Sequence, residues 1–368
     1  MRFKKIGKIA AISAAALIII SLVSAALFYS NLCSKDEMSK KIFSKEPIKA
    51  AVLLHGTENF YPEKLETFLI YYERESSLLK IVSVNPDMVF FDKKRIAKTL
   101  KKAFFETAKK DVKTAIENFY STLFTIINNS FEPDFYINTD YESFLKIFES
   151  NPEIQSLTQK SDFKNRDMQC LNQLEVAEAI IKLLNNNIFA NISKLKKYYP
   201  PQNASITKLA AFNFIIDFRL NNAKVMFCDL PVKSGIRRRI EPDKENIENF
   251  FSKVYYNFTD VNVKDCAGQL EVRNASGKPR MAEKAAWLLR EAKFDVLEWG
   301  NFNFLYEKTI IKEYRGNFGA ALKMAEVINC GKIIVSYNPQ NVYAASVFPG
   351  LDCEIYDKLD KVSGGRRN

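Results

Sequence analysis

The sequence is poor in the residues on which metal binding and nucleophilic catalysis most often rest. Its 368 residues hold one histidine, His55, and six cysteines, dispersed as Cys33, Cys170, Cys228, Cys266, Cys330 and Cys353. No Cys-x-x-Cys pair occurs, which excludes the common structural zinc sites, and one histidine cannot supply a two-histidine centre. His55 follows the apolar run Ala50–Leu54 and reads as a strand-end residue rather than a catalyst. No basic run exceeds Arg237–Arg239, although the formal net charge is +11. Scattered lysines without a stripe of stacking aromatics speak against nucleic acid and leave an anionic lipid or a phosphorylated glycan as the acidic partner. Arg237–Arg239 themselves read as an exposed, solvated strand, with a lipid or glycan contact as the alternative.

One hydrophobic run alone is long enough to cross a bilayer. Arg2, Lys4, Lys5 and Lys8 precede an uncharged stretch from Ile9 to Ser34. About 20 apolar residues span the hydrocarbon core as a helix, and basic residues before them set the N-terminus inside. The expectation is a single-pass plasma-membrane protein: residues 1–8 cytoplasmic, 9–31 a transmembrane anchor, everything later extracytoplasmic. The rival is a cleaved signal peptide with Val23-Ser24-Ala25 at the cleavage site, but the apolar run exceeds a signal h-region. Ser30-Asn31-Leu32 lacks the small residues expected before a lipidated Cys33.

The chain beyond the anchor is globular. A hydrophobic content of 47% and 29 phenylalanines exclude general disorder, and the length admits two cores. A polar tether (32–46) leads to a first α/β domain (47–258), a linker (259–265), a second domain (266–356) and a tail (357–368) expected to be disordered. In the first domain "IKAAVLLHG" reads as a buried strand, and "ETFLIYYER" and "LLKIVSVNP" as a hairpin. Apolar residues from Lys93 to Ile127 recur at three and four, giving one or two amphipathic helices. "DFYINTD" and "AKVMFCDLP" are further strands, and Leu171–Asn185 and Ile206–Leu220 further helices. "EPDKENIENFF" is a helix with Pro242 in its first turn.

The second domain reads as strand (269–274), helix (280–292), strand (294–299), strand (308–314), helix (318–328), strand (332–337). This βαββαβ order is compatible with a ferredoxin-like split arrangement, to which "YAASVFPG" adds an edge strand. First and last strands would then be antiparallel neighbours, which makes Cys353 a geometrically possible partner of Cys266. The motif "VRNASGKPRMAEKAAWLL", Val272–Leu289, leads from strand to helix through a turn that resembles an anion cradle. Pro279 removes one N–H donor and a lone glycine makes no phosphate loop, so the reading is a tight βα connection.

The stretch "LEVRNASGKPRMAEKAAWLLREAKFDVLEWGN" resembles the C-terminal domain of LytR-CpsA-Psr proteins. Asn274, Gly277, Pro279, Ala282, Leu288, Phe294, Val296, Gly300 and Asn301 fall on that pattern. The preceding region is similar to the LytR-CpsA-Psr domain itself, in a degenerate form: "VLLHGTE", "FYINTDYESFLKIF" with Asp140 and Phe144, "QLEVAEAIIKLL" and "LPVKSGIRRRIEPDKENIENFF" stand on its segments. The resemblance implies a mixed α/β fold, sandwich-like in the first domain, and transfer of glycan polymers from polyprenyl pyrophosphate to peptidoglycan or protein, aided by Mg²⁺. It also implies an apolar lipid tunnel between sheet and helices.

The charged positions depart from the family pattern. Glu66 stands for its strand-opening aspartate and Lys64 for a neighbouring basic residue; Asp87 remains, but the arginine before it is Pro86. Gln169 and Asn172 replace two arginines ahead of Gln173, with Arg166 one turn earlier. Guanidinium forks bind pyrophosphate bidentately, and lysine does not reproduce that contact. Two readings stay open. The first is a non-catalytic envelope protein, a pseudoenzyme that binds polyprenyl-linked glycan or acts as a scaffold. The second is an active phosphotransferase: Glu66 and Asp87 as catalytic or metal-holding carboxylates, Lys64, Arg166, Gln169, Asn172 and Gln173 as substrate-binding residues.

Overall fold

The computed structural model describes residues 35–44, 46–57, 60–92, 94–143, 224–234, 239–255, 268–329 and 332–353. The apolar run 9–31 and the helices expected at Leu171–Asn185 and Ile206–Leu220 lie outside them. Among the described residues no helix is long and apolar enough to cross a membrane.

The first half opens with helix α1 (Glu37–Phe43), where a polar tether is expected from sequence, and continues into strands β1 (Ile48–Thr57), β2 (Phe60–Glu73) and β3 (Leu78–Val84). β1 and β2 pair antiparallel from Ile48↔Tyr72 to Thr57↔Phe60, and β2 and β3 from Thr67↔Val84 to Glu73↔Leu78. A small hairpin, β4 (Val89–Phe91) and β5 (Ala97–Thr99), precedes helix α2 (Leu100–Ala108). The helical pattern expected from Lys93 therefore starts only at Leu100, where the Thr99 side chain accepts from Lys102 N. Asp111 then caps α3 (Val112–Ile126) through Lys113 N and Thr114 N, which splits the pattern into two helices. Strand β6 (Phe135–Asp140) pairs parallel with β1.

Strand β7 (Lys224–Asp229) lies parallel to β3. β8 (Val232–Ser234) and β9 (Ile240–Pro242) form a short hairpin before helix α4 (Lys244–Asn249), which continues as a π-helical turn over Phe250–Tyr255. Pro242 thus ends a strand instead of opening the helix. Asp243 is the cap, its carboxylate accepting from Asn246 N at 3.3 Å. Of Arg237–Arg239, only Arg239 is described, and it is exposed.

The second half contains β10 (Leu270–Asn274), α5 (Met281–Glu291), β11 (Val296–Asn301), β12 (Ile310–Glu313), α6 (Phe318–Ile328), β13 (Lys332–Val335) and β14 (Ala345–Phe348). Each helix joins a parallel pair, β10 with β11 and β12 with β13. β14 is no edge strand. It lies between β10, to which it is parallel, and β12, to which it is antiparallel. The ferredoxin-like order is therefore replaced by two βαβ units zipped together by the last strand. Because β14 runs parallel to β10, Cys353 falls beyond the C-terminal ends of both, whereas Cys266 precedes β10. Their expected pairing loses its geometric basis; Cys266 itself lies outside the described residues.

Ten described strands form one mixed sheet in the order β11-β10-β14-β12-β13-β7-β3-β2-β1-β6. Period-two alternation sends Ala51, Leu53, Leu65, Leu69, Tyr71, Val82, Val84, Met226 and Cys228 to one face. There they pack with Leu100, Phe104, Phe119, Leu123, Ile247 and Phe250 of the helices. A second cluster unites Leu270, Val272, Ile311 and Val347 with Ala285, Leu289, Ala321 and Met324. Leu123 is fully buried in the first cluster, where truncation to alanine typically costs about 2–5 kcal/mol.

Candidate functional site

The strand ends β1, β2 and β6 bring together the residues that the sequence singles out nearest the N-terminus. Leu65 and Thr67 face the helices, so alternation places Lys64 and Glu66 on the opposite face of β2. Glu66 stands opposite Leu54 and is 5% exposed. Lys64 Nζ lies 3.7 Å from Glu66 Oε1 and 4.5 Å above the ring of Tyr141, the wholly buried residue directly after β6. Glu66 Oε2 makes no hydrogen bond among the described residues. A buried carboxylate oxygen without a donor is costly, and the ammonium beside it is what offsets that cost.

Neighbouring groups are engaged in structure. Asp140, opposite His55 on β6, accepts from Ser143 N at 2.7 Å and Ser143 Oγ at 2.8 Å, capping the turn at Tyr141. His55 Nδ1 lies 3.1 Å from Gly56 O, and its ring is 5.5 Å from that of Phe104. It is the strand-end residue that its sequence position suggests.

Asp87 is placed differently from Glu66. It sits in the turn after β3, its N–H donating to Asn85 Oδ1 at 2.8 Å and its carboxylate 3.5 Å from Lys101 Nζ of α2. Arg166, Gln169, Asn172 and Gln173 lie outside the described residues. Among those described, no group of three or more His, Cys, Asp or Glu side chains is placed to hold a metal. Mg²⁺ demands near-octahedral oxygen ligation. A single buried carboxylate with an ammonium at its side, and a second acid paired elsewhere, do not make that donor set.

Sequence reasoning missed Tyr141 and the burial of Lys80. Lys80 is fully buried in β3, its Nζ 5.0 Å from the centre of the Tyr71 ring, and burial pushes its ammonium below the usual lysine range. A lysine between apolar strand residues gives no local sign of where its amine ends. Cys228, on the same face, is pushed up by burial and is no nucleophile.

The turn at Asn274–Arg280 closes on itself. Asn274 Oδ1 accepts from Ser276 N and Oγ, Asn274 Nδ2 donates to Lys278 O at 2.8 Å, and Lys278 N donates to Ser276 Oγ. Gly277 takes φ +69°. Lys278 Nζ donates to Leu351 O at 2.8 Å, tying the turn to the end of β14. The donors of Ser276 and Lys278 and the Asn274 amide are spent on the fold, as a tight connection requires.

Residues 269–346, the two βαβ units and the start of β14, match the family described as LytR cell envelope-related transcriptional attenuator. Residues 269–346 are therefore a LytR C-terminal domain. The match covers those residues alone, and the preceding region keeps only the resemblance read from its sequence. No protein of curated function matches the chain in sequence. Solved structures similar to it include a transcriptional regulator from Enterococcus faecalis (10% identity, 58% of this chain and 88% of that chain, TM-score 0.44). TagV of B. subtilis is 12% identical over 56% of this chain and 95% of that chain, with a TM-score of 0.41. The LytR-CPS2A-psr family protein YwtF (TagT), solved with octaprenyl pyrophosphate lipid, is 12% identical over 56% and 88%, with a TM-score of 0.34.

Proposed function

We propose that this chain is a membrane-anchored cell-envelope protein that binds a polyprenyl-linked glycan, or scaffolds its handling, without turning it over. Residues 9–31 are the anchor in this reading, and both halves of the chain lie outside the plasma membrane. The match of residues 269–346 supports the envelope context, and the resemblance of the preceding region to the LytR-CpsA-Psr domain supports the ligand class. The observation that carries the non-catalytic reading is the pairing of charges: Glu66 with Lys64, Asp87 with Lys101. Pyrophosphate transfer develops negative charge on the leaving oxygens and needs an excess of fixed positive charge there. Two neutral pairs supply none, and Pro86, Gln169 and Asn172 stand where the family has guanidiniums. Each lost contact of that kind costs about 10²–10³ in rate.

One observation favours the alternative, an active phosphotransferase. Glu66 Oε2 is buried and lacks a hydrogen-bond donor among the described residues, as a base awaiting a substrate proton would. The test is to purify the full chain, extract its lipid for mass spectrometry, and supply polyprenyl-pyrophosphate glycan with an acceptor. Bound polyprenyl lipid without product is the expected result. Product formation that disappears in Glu66→Gln would establish the transferase instead.

A further inference from the structure

Taking the chain as anchored through residues 9–31, the reading proposed above, fixes where its first folded element meets the bilayer. Sixteen residues, 32–47, separate the apolar run from β1, and as free chain they would reach about 55 Å from the bilayer. The structure uses most of them otherwise. Asp36 caps α1, its carboxylate accepting from Ser39 N at 2.7 Å, and Ser39 and Ile42 are buried. Lys41 Nζ donates to Asp134 Oδ1, the other oxygen of Asp134 accepts from Lys49 N at 2.7 Å, and Asp134 N donates to Lys49 O at 2.8 Å. On the other side Arg74 Nη1 donates to Ile42 O at 3.1 Å. The helix is thereby fastened to the starts of β1 and β6 and to the turn between β2 and β3.

We propose that α1 is a rigid bracket that seats this end of the sheet on the lipid headgroups and turns the Lys64–Glu66–Tyr141 site away from them. The occupant of the surface around Arg74–Ser77 is the bilayer itself. Chain length supports it: only residues 32–35 remain between the apolar run and the cap, a reach of about 14 Å, and Arg74 holds its turn against Ile42 of α1. β1 then rises from Ile48 to His55, so the site stands roughly 23 Å farther out at about 3.3 Å per residue. A flexible tether would set no such orientation. With the bracket closed, the site faces the side from which an external acceptor or partner arrives.

The test uses the full chain in phosphatidylglycerol–phosphatidylethanolamine vesicles doped with a headgroup-quencher lipid. A fluorescent amino acid replaces either Ser76, in the turn before β3, or Lys102. The latter lies at the far end of β3, where Lys101 N donates to Pro86 O at 2.9 Å. Quenching is expected at position 76 and not at 102. Asp134→Ala should lose the difference, and Lys41→Ala, which leaves the Asp134–Lys49 bond in place, should lose it as well. Failure of the chain to float with the vesicles would overturn the anchored reading. Flotation with equal quenching at both positions, or with none at 76, would overturn the bracket alone.

Discussion

Val335 of β13 lies directly opposite Cys228 of β7, in a parallel pairing whose register also includes Ile334↔Phe227. Just beyond it Ser336 Oγ donates to Asp229 Oδ2 at 3.0 Å. This short seam is where the LytR C-terminal domain joins the sheet of the first half. Phe318, Val335 and Tyr337 bury against Met226, Phe250 and Phe251 in one cluster, with the Phe250 and Tyr337 rings 6.3 Å apart. The two halves thus carry their own cores and share a flank.

A fragment covering 265–357 keeps the cluster built on Leu270, Val272 and Ile311 and is expected to fold alone. It should be less stable than the same residues in the whole chain, because Val335 and Tyr337 lose their cover. Burying a valine contributes about 1.5–3 kcal/mol. Amide hydrogen exchange at Ile311 in fragment and full chain measures the difference. Equal protection in the two would show that the seam contributes nothing.

Gly350 is a position that tolerates no side chain. A Cβ there would lie 2.4 Å from Lys308 C and 2.5 Å from Lys308 O, and backbone cannot move aside as a flexible side chain can. Gly350 N also donates to Thr309 Oγ1 at 3.0 Å, so a shift breaks a buried hydrogen bond. Gly350→Ala should destabilise the C-terminal half by about 1–3 kcal/mol, read as a lower urea midpoint. An unchanged midpoint would refute the packing described at that turn.

Glu313 makes stability depend on pH. It is buried at the end of β12 and accepts from Arg315 N at 2.7 Å and Gly316 N at 2.6 Å. Burial nonetheless raises its carboxyl above the usual glutamic acid range, against the pull of those donors. The folded chain then holds this proton more tightly than the unfolded chain. Its contribution is complete below about pH 4.3, the ordinary glutamate value, and is lost as pH rises through the higher folded value. Glu313→Gln cannot ionise, so the stability of the parent relative to this variant should fall from acid to neutral pH. Urea titrations across that range would show a constant difference if the carboxyl is unshifted.

Glu66 and Lys64 depend on each other. Glu66→Ala leaves an ammonium in a nearly closed site and should cost about 3 kcal/mol, the low end for a broken buried pair. Glu66→Leu combined with Lys64→Met should recover most of that loss, because two apolar groups replace two charges. A double variant no more stable than Glu66→Ala would mean that the pair is not coupled.

The elements of the C-terminal half are legible along the chain because their causes are local. Apolar Leu270 and Val272 alternate with polar neighbours, and Met281, Ala282, Ala285, Ala286 and Leu289 recur at helical spacing. The Asn274 turn is readable for the same reason, since its Asn, Ser and Gly act within four residues. The hairpin read from Glu66–Arg74 and Leu78–Pro86 likewise rests on nearby residues, whereas the start of β2 at Phe60 and the caps Thr99 and Asp111 emerge only in the structure.

Strand order is another matter. "ASVF" alternates identically at an edge or in the middle, and β14 is central because Val347 meets Val272 on one side and Ile311 on the other. Those partners are 75 and 36 residues away, beyond any local pattern. The same distance hides the site's state. Residues 64 and 66 advertise their charges, but the burial of Glu66 and the ring under Lys64 depend on Tyr141, brought there by the parallel pairing of β6 with β1. Lys41 reads as a charge in a polar tether and Asp134 as the first residue of a strand, with nothing to link them. They bind each other because the sheet places the starts of β1 and β6 side by side, and a sheet is built from pairings that sequence spacing does not encode.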